Sequence, residues 1–371
     1  MDPQSLVHDF NDDLWPNLQI FVKKNFHTNY ILQDRPFFQW QYEKNPDNRS
    51  GVASFKILLA KDKLLGFLGM IPQPVKVFDK VYNKGGALCN LMIDESCRAL
   101  GLGLFLMRSV TDEYDVLWGT GFNPRTGPMY EKMGGWKLMG NFNHYVKVLS
   151  EKKVGDVVGE KFVVSERPQA LWSGNIVVRN YGRFGDDADR FWDEVSSRYP
   201  ITVVRSSKYL NWRYNDHPFF DYKVLHALDG DELRGYIVYR LEESTGSAIT
   251  LRVGHILDLI AVKGIERDLI IETEKNLIDA GADLIDYHST GLFHHNAFIG
   301  SGYHHGDEHP YTKIPLYFNP IDIGRGDQVK NKINFLVYLN GVPESEKEKM
   351  SDHNNWYLTK GDGDKDRPNP H

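Results

Sequence analysis

Residues 97–108 read CRALGLGLFLMR, directly behind the apolar run GALCNLMID at 86–94. Glycine costs roughly 1 kcal/mol against alanine inside a helix, so a helix opening on Gly101 and Gly103 gives up stability in its first turn. A strand that runs through a Gly-x-Gly turn into a helix presents free backbone N–H groups at a positively polarised terminus. Without β-carbons in the way, an anion can approach that backbone closely. Arg98 adds a fixed positive charge beside it. A dinucleotide fingerprint, G-x-G-x-x-G, fails because Leu106 stands at its third glycine, and a P-loop fails because no lysine follows. What remains is R-x-x-G-x-G on Arg98, Gly101 and Gly103.

Further along, residues 123–134 read NPRTGPMYEKMG. Asn123, Thr126, Tyr130 and Gly134 occupy N-x-x-A-x-x-x-Y-x-x-x-G, with threonine at the small-residue position. The two motifs, in this order and separation, resemble the acetyl-CoA pyrophosphate loop and following helix of the GCN5-related N-acetyltransferases (GNAT). The resemblance covers residues 50–149. It implies an α/β fold built on a mixed, mainly antiparallel central sheet flanked by helices. It also implies an acyl-CoA co-substrate held by Met92, Ile93, Arg98, Ala99, Leu100, Gly101, Leu102, Gly103 and Asn123.

A weak internal repeat extends the reading to the whole chain. QWQYEKNP (39–46) and NWRYNDHP (211–218) share W-x-Y-x-x-x-P; LLGFLGM (64–70) pairs with LRGYIVYR (233–240), and WGTGFN (118–123) with YHSTGLF (287–293). Each match falls about 170 residues after its partner, far beyond a solenoid period. Two tandem GNAT-like domains are therefore expected: 1–150 with the CoA loop, a degenerate second at 151–320, and a C-terminal extension at 321–371. Length alone favours two cores. In the second copy AVKGIERDLII (261–271) retains one glycine, Gly264, so one CoA site per chain is expected.

Locally, FKILLAKDKLLGFLGMIPQPVKVF (55–78) reads as a hairpin turning at KDK. LGLGLFLMRSVTDEY (100–114) reads as a helix with Leu100, Leu104 and Met107 on one face. Gly134 and Gly135 end a short helix, and GWKLMGNFNHYVKVL (135–149) closes the domain as one extended segment. Residues 150–166 read as a charged crossover. The ending NWYLTKGDGDKDRPNPH (355–371) is too polar for a core strand after Leu358; it reads as a solvated tail, or as a lid over the acceptor. DGDKDR lacks the sixth-position glycine and twelfth-position glutamate of a calcium loop.

The length, the GGW behind the tyrosine helix and the DGDKDRPN ending look like sugar N-acyltransferases of O-antigen and capsule biosynthesis. Those enzymes act on dTDP-linked 3-amino-3,6-dideoxyhexoses, with acetyl or 3-hydroxybutanoyl as the acyl group. The resemblance implies direct transfer from thioester to amine, a backbone N–H near Met92 or Ile93 polarising the carbonyl, and Tyr130 protonating the departing thiolate. Asn90 stands where many members carry an acidic base. Asp94 and, by its repeat position after β-strand residues, His288 are the candidates for that role. Other readings stay open: another amine such as an aminoglycoside or peptide, or a CoA or nucleotide-sugar binding module without catalysis.

Composition bounds the rest. The formal net charge is −6, with no basic run, so a nucleic-acid partner is not expected. The start has no basic segment leading an apolar one, and the most apolar stretch is broken by prolines, so no membrane association is expected. Cys89 and Cys97 are the only cysteines; they suit a reducing cytoplasm and read as small apolar filler. His288, His294, His295, His304 and His305 crowd one segment, but their spacing matches no zinc pattern, so no metal is expected. A homo-oligomer is left open.

Overall fold

The computed structural model describes residues 6–26, 30–49, 51–123, 126–164, 175–245, 247–314 and 332–368 of the 371-residue chain. Its strands are β1 (Val7–Asp9), β2 (Phe55–Ala60), β3 (Lys63–Pro72), β4 (Val75–Val77), β5 (Lys80–Tyr82), β6 (Gly85–Ile93), β7 (Val116–Thr120), β8 (Trp136–Asn141) and β9 (Asn143–Val148). They continue with β10 (Ile176–Asn180), β11 (Ile201–Val203), β12 (Lys223–Asp229), β13 (Glu232–Glu243), β14 (Arg252–Ala261), β15 (Leu284–Ser289), β16 (His304–His305), β17 (Asn334–Tyr338) and β18 (Trp356–Tyr357). One seven-stranded sheet runs β1-β2-β3-β6-β7-β17-β8, another β10-β12-β13-β14-β15-β9-β16.

The two sheets repeat one plan. In each, the strands run antiparallel except for one parallel pair inside the sheet: β6 with β7, and β14 with β15. Of the helices α1 (Trp15–Asn25), α2 (Arg35–Tyr42), α3 (Gly103–Thr111), α4 (Gly127–Lys132), α5 (Glu151–Val158), α6 (Asp186–Val195), α7 (Ser207–Leu210) and α8 (Glu266–Asp279), α3 spans the parallel pair in the first half and α8 that in the second. The glycines matched by the repeat have matching reasons. A Cβ on Gly66 would lie 2.6 Å from Ile93 Cδ1, and one on Gly235 would lie 2.8 Å from the Ala261 side chain. Gly121 and Gly291 both sit at positive φ, +59° and +63°, where only glycine rests without strain.

The last strands are exchanged. Residues 135–149 form two strands rather than one: β8 edges the first sheet, while β9 crosses over and pairs with β15. In return β17, from the C-terminal extension, inserts between β7 and β8. A small third sheet, β18-β11-β4-β5, also joins the halves through β11 and β4. At their meeting point Trp40 and Trp212, the repeated tryptophans, stack with centroids 5.0 Å apart. Each indole N–H donates to the other's carbonyl at 2.8 Å. The largest apolar cluster accordingly draws on both halves, with Phe55, Trp118, Trp212, Tyr236 and Trp356.

Three local expectations change. The turn before α3 is a 3-10 segment, Glu95–Leu100, so Leu100 lies outside the helix and is 68% exposed. The buried face of α3 is Leu106, Met107 and Val110. Residues 151–158 form a helix, with Val154 buried. The tail is not solvated: Lys360, Asp362, Asp364 and Asp366 are all buried, because arginines of the second half were waiting for them. Asp362 meets Arg205 at 2.8 Å, and Asp366 meets Arg240 at 2.6 Å. Arg213 donates to the carbonyls of Gly361 and Asp366.

Candidate functional site

The pairing of β6 with β7 covers only Gly85–Leu88 against Val116–Gly119. Past Leu88, β6 bulges: Phe67 and Gly69 of β3 oppose Met92 and Cys89, leaving one extra residue on β6. Asn90, at φ +56°, supplies the turn, a conformation asparagine tolerates better than most residues. Beyond the bulge lies a cavity of about 1260 Å³. Leu88, Met92, Met107, Thr120, Asn123 and Tyr130 are among the residues that line it.

Asn90 explains why no acid stands at this position. Its carbonyl oxygen accepts from Tyr30 O–H and Arg367 Nη1, both at 2.6 Å, while its amide donates to Tyr42 O–H at 2.7 Å. A carboxylate could not donate that third bond. Cys89 beside it is buried, which pushes its thiol up far from any thiolate; it is filler rather than a nucleophile.

Tyr130 sits on the short helix α4 (Gly127–Lys132), ringed by Phe122 and Trp136. Burial pushes its hydroxyl up to about 12, so it holds its proton at any working pH. The carbonyl of Asn123 is held by Thr126, through both amide and hydroxyl, which is why threonine serves at the small-residue position.

The glycine turn is formed. Gly101 has φ +69° and its carbonyl accepts from Leu104 N–H. At Gly103 a Cβ would meet only Ile93, at 3.5 Å, so glycine there leaves backbone bare instead of relieving a clash. Arg98 is exposed and reaches back to the Ile93 carbonyl at 3.3 Å. Residues 98–103 and Ile93 are not among the cavity-lining residues; Met92 and Asn123 are.

The structure does not bring the two proposed bases to Tyr130. Asp94 caps the 3-10 turn through Ser96 and binds Lys24 at 2.6 Å; those bonds hold its carboxyl well below the usual range. His288 lies on β15 in the second sheet, 1% exposed and stacked on His144, and neither Asp94 nor His288 lines the cavity. In their place the tail arrives. Asp364, Lys365 and Arg367 line the cavity, and Asp364 is the only carboxylate among the described lining residues. Asp364 is held by Arg367 at 2.9 Å, and Arg367 lies over the Tyr30 ring at 5.1 Å. The alternation D-x-D-x-D-R was the signal; reading it as solvated polarity hid it.

No family model matches the chain, and no curated protein matches it in sequence. Solved structures do resemble it. A GCN5-related N-acetyltransferase from Anabaena variabilis superposes with TM-score 0.55 at 11% identity, covering 76% of this chain and 65% of that one. Saccharomyces cerevisiae N-myristoyltransferase with bound myristoyl-CoA and inhibitors gives 0.54 at 11% identity, covering 90% and 79%. A probable N-acyltransferase from Enterococcus faecalis gives 0.50 at 11% identity, covering 77% and 65%. At such identity the likeness concerns the fold alone, a GNAT-like α/β architecture of mainly antiparallel sheets flanked by helices.

Proposed function

We propose that this protein transfers an acyl group from acyl-CoA to a primary amine by direct attack, with one working site in the cleft beyond the β6 bulge. The single observation that carries the reading is that cleft: the β6–β7 pairing ends at Leu88 and Gly119, and Met92, Asn123 and Tyr130 line the space beyond. The bare backbone of Gly101–Gly103, with Arg98, would hold the CoA diphosphate. The amine nitrogen attacks the thioester carbon and the C–S bond breaks. Backbone N–H near Met92 steadies the oxyanion. Tyr130 donates a hydrogen bond to the leaving sulfur.

The amine must shed a proton, which the departing thiolate ultimately takes up. An amine of pKa about 8 is roughly a tenth neutral at pH 7, so a base gains about one order of rate there. In this reading Asp364, the carboxylate among the described lining residues, receives and orients the ammonium.

For the acceptor we propose a nucleotide-linked amino sugar, of the dTDP-3-amino-3,6-dideoxyhexose class, with acetyl or 3-hydroxybutanoyl transferred. Lys332, Lys365 and Arg367 on the cleft wall suit a diphosphate and oppose a polycationic aminoglycoside. The test incubates acetyl-CoA and 3-hydroxybutanoyl-CoA with a panel of amines and reads free thiol. Thiol release with the nucleotide-linked aminohexose is expected; release only with a peptide or aminoglycoside overturns the acceptor. Tyr130→Phe should lower kcat about 10²-fold while CoA affinity holds. No turnover with any amine would leave a binding module.

A further inference from the structure

We propose that the second half of the molecule carries a binding site for a divalent transition-metal ion, formed by His144, Asp286 and His288. Strand register builds it. His144 on β9 lies directly opposite His288 on β15, and Asp286, two residues earlier, faces the same side of the sheet. The three offer donor atoms that all lie within 4.8 Å of one another. All three residues are buried, at 4%, 0% and 1% exposed.

The second observation is that these donors are orphaned. Both ring nitrogens of His144, both of His288 and Oδ2 of Asp286 have no hydrogen-bond partner, the nearest approach being His288 Nδ1 to Asp286 Oδ2 at 3.6 Å. Five such atoms in one buried spot are far from the norm, since buried polar groups nearly always find partners. An ion would satisfy three at once.

The surroundings are built as outer support. The other Asp286 oxygen, Oδ1, takes a 2.5 Å bond with His255 Nδ1, and His255 Nε2 lies 3.2 Å from Glu242. Such relays fix a ligating carboxylate's orientation. Two features oppose tight binding. The charge of Lys360 bears on all three residues. The His144 and His288 rings are also stacked at 4.2 Å, so one must turn for both to reach an ion at about 2.0–2.1 Å. Two histidines and one carboxylate suit zinc or cobalt, with water completing the shell.

The site has a structural consequence. His144 belongs to the exchanged strand β9 and its partners to β15, so the ion would pin the exchange in place. The test uses the full chain, stripped with a chelator and titrated with Co²⁺. One equivalent per chain should give visible d–d absorption, which Zn²⁺ abolishes, and either metal should raise the melting temperature. His144→Ala and His288→Ala should each lower affinity more than about tenfold, with folding checked by circular dichroism. His304→Ala/His305→Ala, which alters the half-exposed pair nearby, should bind as wild type. Absence of saturable one-equivalent binding in the wild type overturns the proposal, whatever the variants do. So does loss of binding in the His304/His305 variant.

Discussion

Replacing Asp366 by alanine tests whether the charged tail is part of the core. Its carboxylate is 1% exposed and accepts from Arg240 Nη2 at 2.6 Å, Arg240 Nε at 3.1 Å and Tyr222 O–H at 2.5 Å. Removing one partner of a buried ion pair costs about 3–5 kcal/mol, because the other charge stays behind undischarged. Arg240 keeps Glu242 at 2.7 Å, which places the expected loss near the lower end, about 3 kcal/mol. Urea unfolding followed by circular dichroism and tryptophan fluorescence measures it. Burial alone would raise the carboxyl of Asp366, but Arg240 outweighs that and holds it well below the usual carboxylate range. A depressed folded value contributes stability above the unfolded pKa of about 3.9 and loses it as pH falls. The gap between wild type and variant should therefore be flat from pH 7 to 5 and close below pH 4. A variant within about 0.5 kcal/mol of wild type, the range of an ordinary surface change, would refute the reasoning.

Two further outcomes follow from other parts of the fold. Trp40→Phe should destabilise by about 2 kcal/mol, because the buried Trp212 carbonyl loses its donor; Trp212→Phe should cost a similar amount, and the double variant less than the sum, all read by urea unfolding. If either single variant is neutral, the reciprocal pair does not hold the halves together. His226, fully buried against Tyr181 at 4.1 Å, is lowered by burial to about 4. A buried neutral histidine loses stability as pH falls from about 6.5, where the unfolded side chain charges, toward 4. His226→Phe should therefore resist acid better, flattening the melting temperature between pH 6.5 and 4; an unchanged slope would sink this account.

The motifs legible in the chain were those whose reasons are local. A positive φ at Gly101 needs glycine whatever surrounds it, and a strand-turn-helix order sets where the backbone is bare. The repeat was legible for a similar reason: Gly66 and Gly235 each face a neighbouring strand too closely for a β-carbon, so both copies kept the residue. Tyr130 stood out because its spacing from Asn123, Thr126 and Gly134 resembles the GNAT pattern. Asn90 was noticed only as a missing acid; its actual work, accepting from Tyr30 and Arg367 while donating to Tyr42, joins residues from both ends of the chain.

What the sequence could determine alone was therefore the repeat, the glycine turn and the short helix carrying Tyr130. Tertiary structure decided the rest. A hydrophobicity pattern says that Asn143–Val148 is a strand, but both sheets offer it an open edge, and only packing selects the second. The tail shows the same limit from the side of charge. Aspartates read as solvated until arginines on distant strands appear beside them, because the free energy of a charge depends on what neighbours it in space.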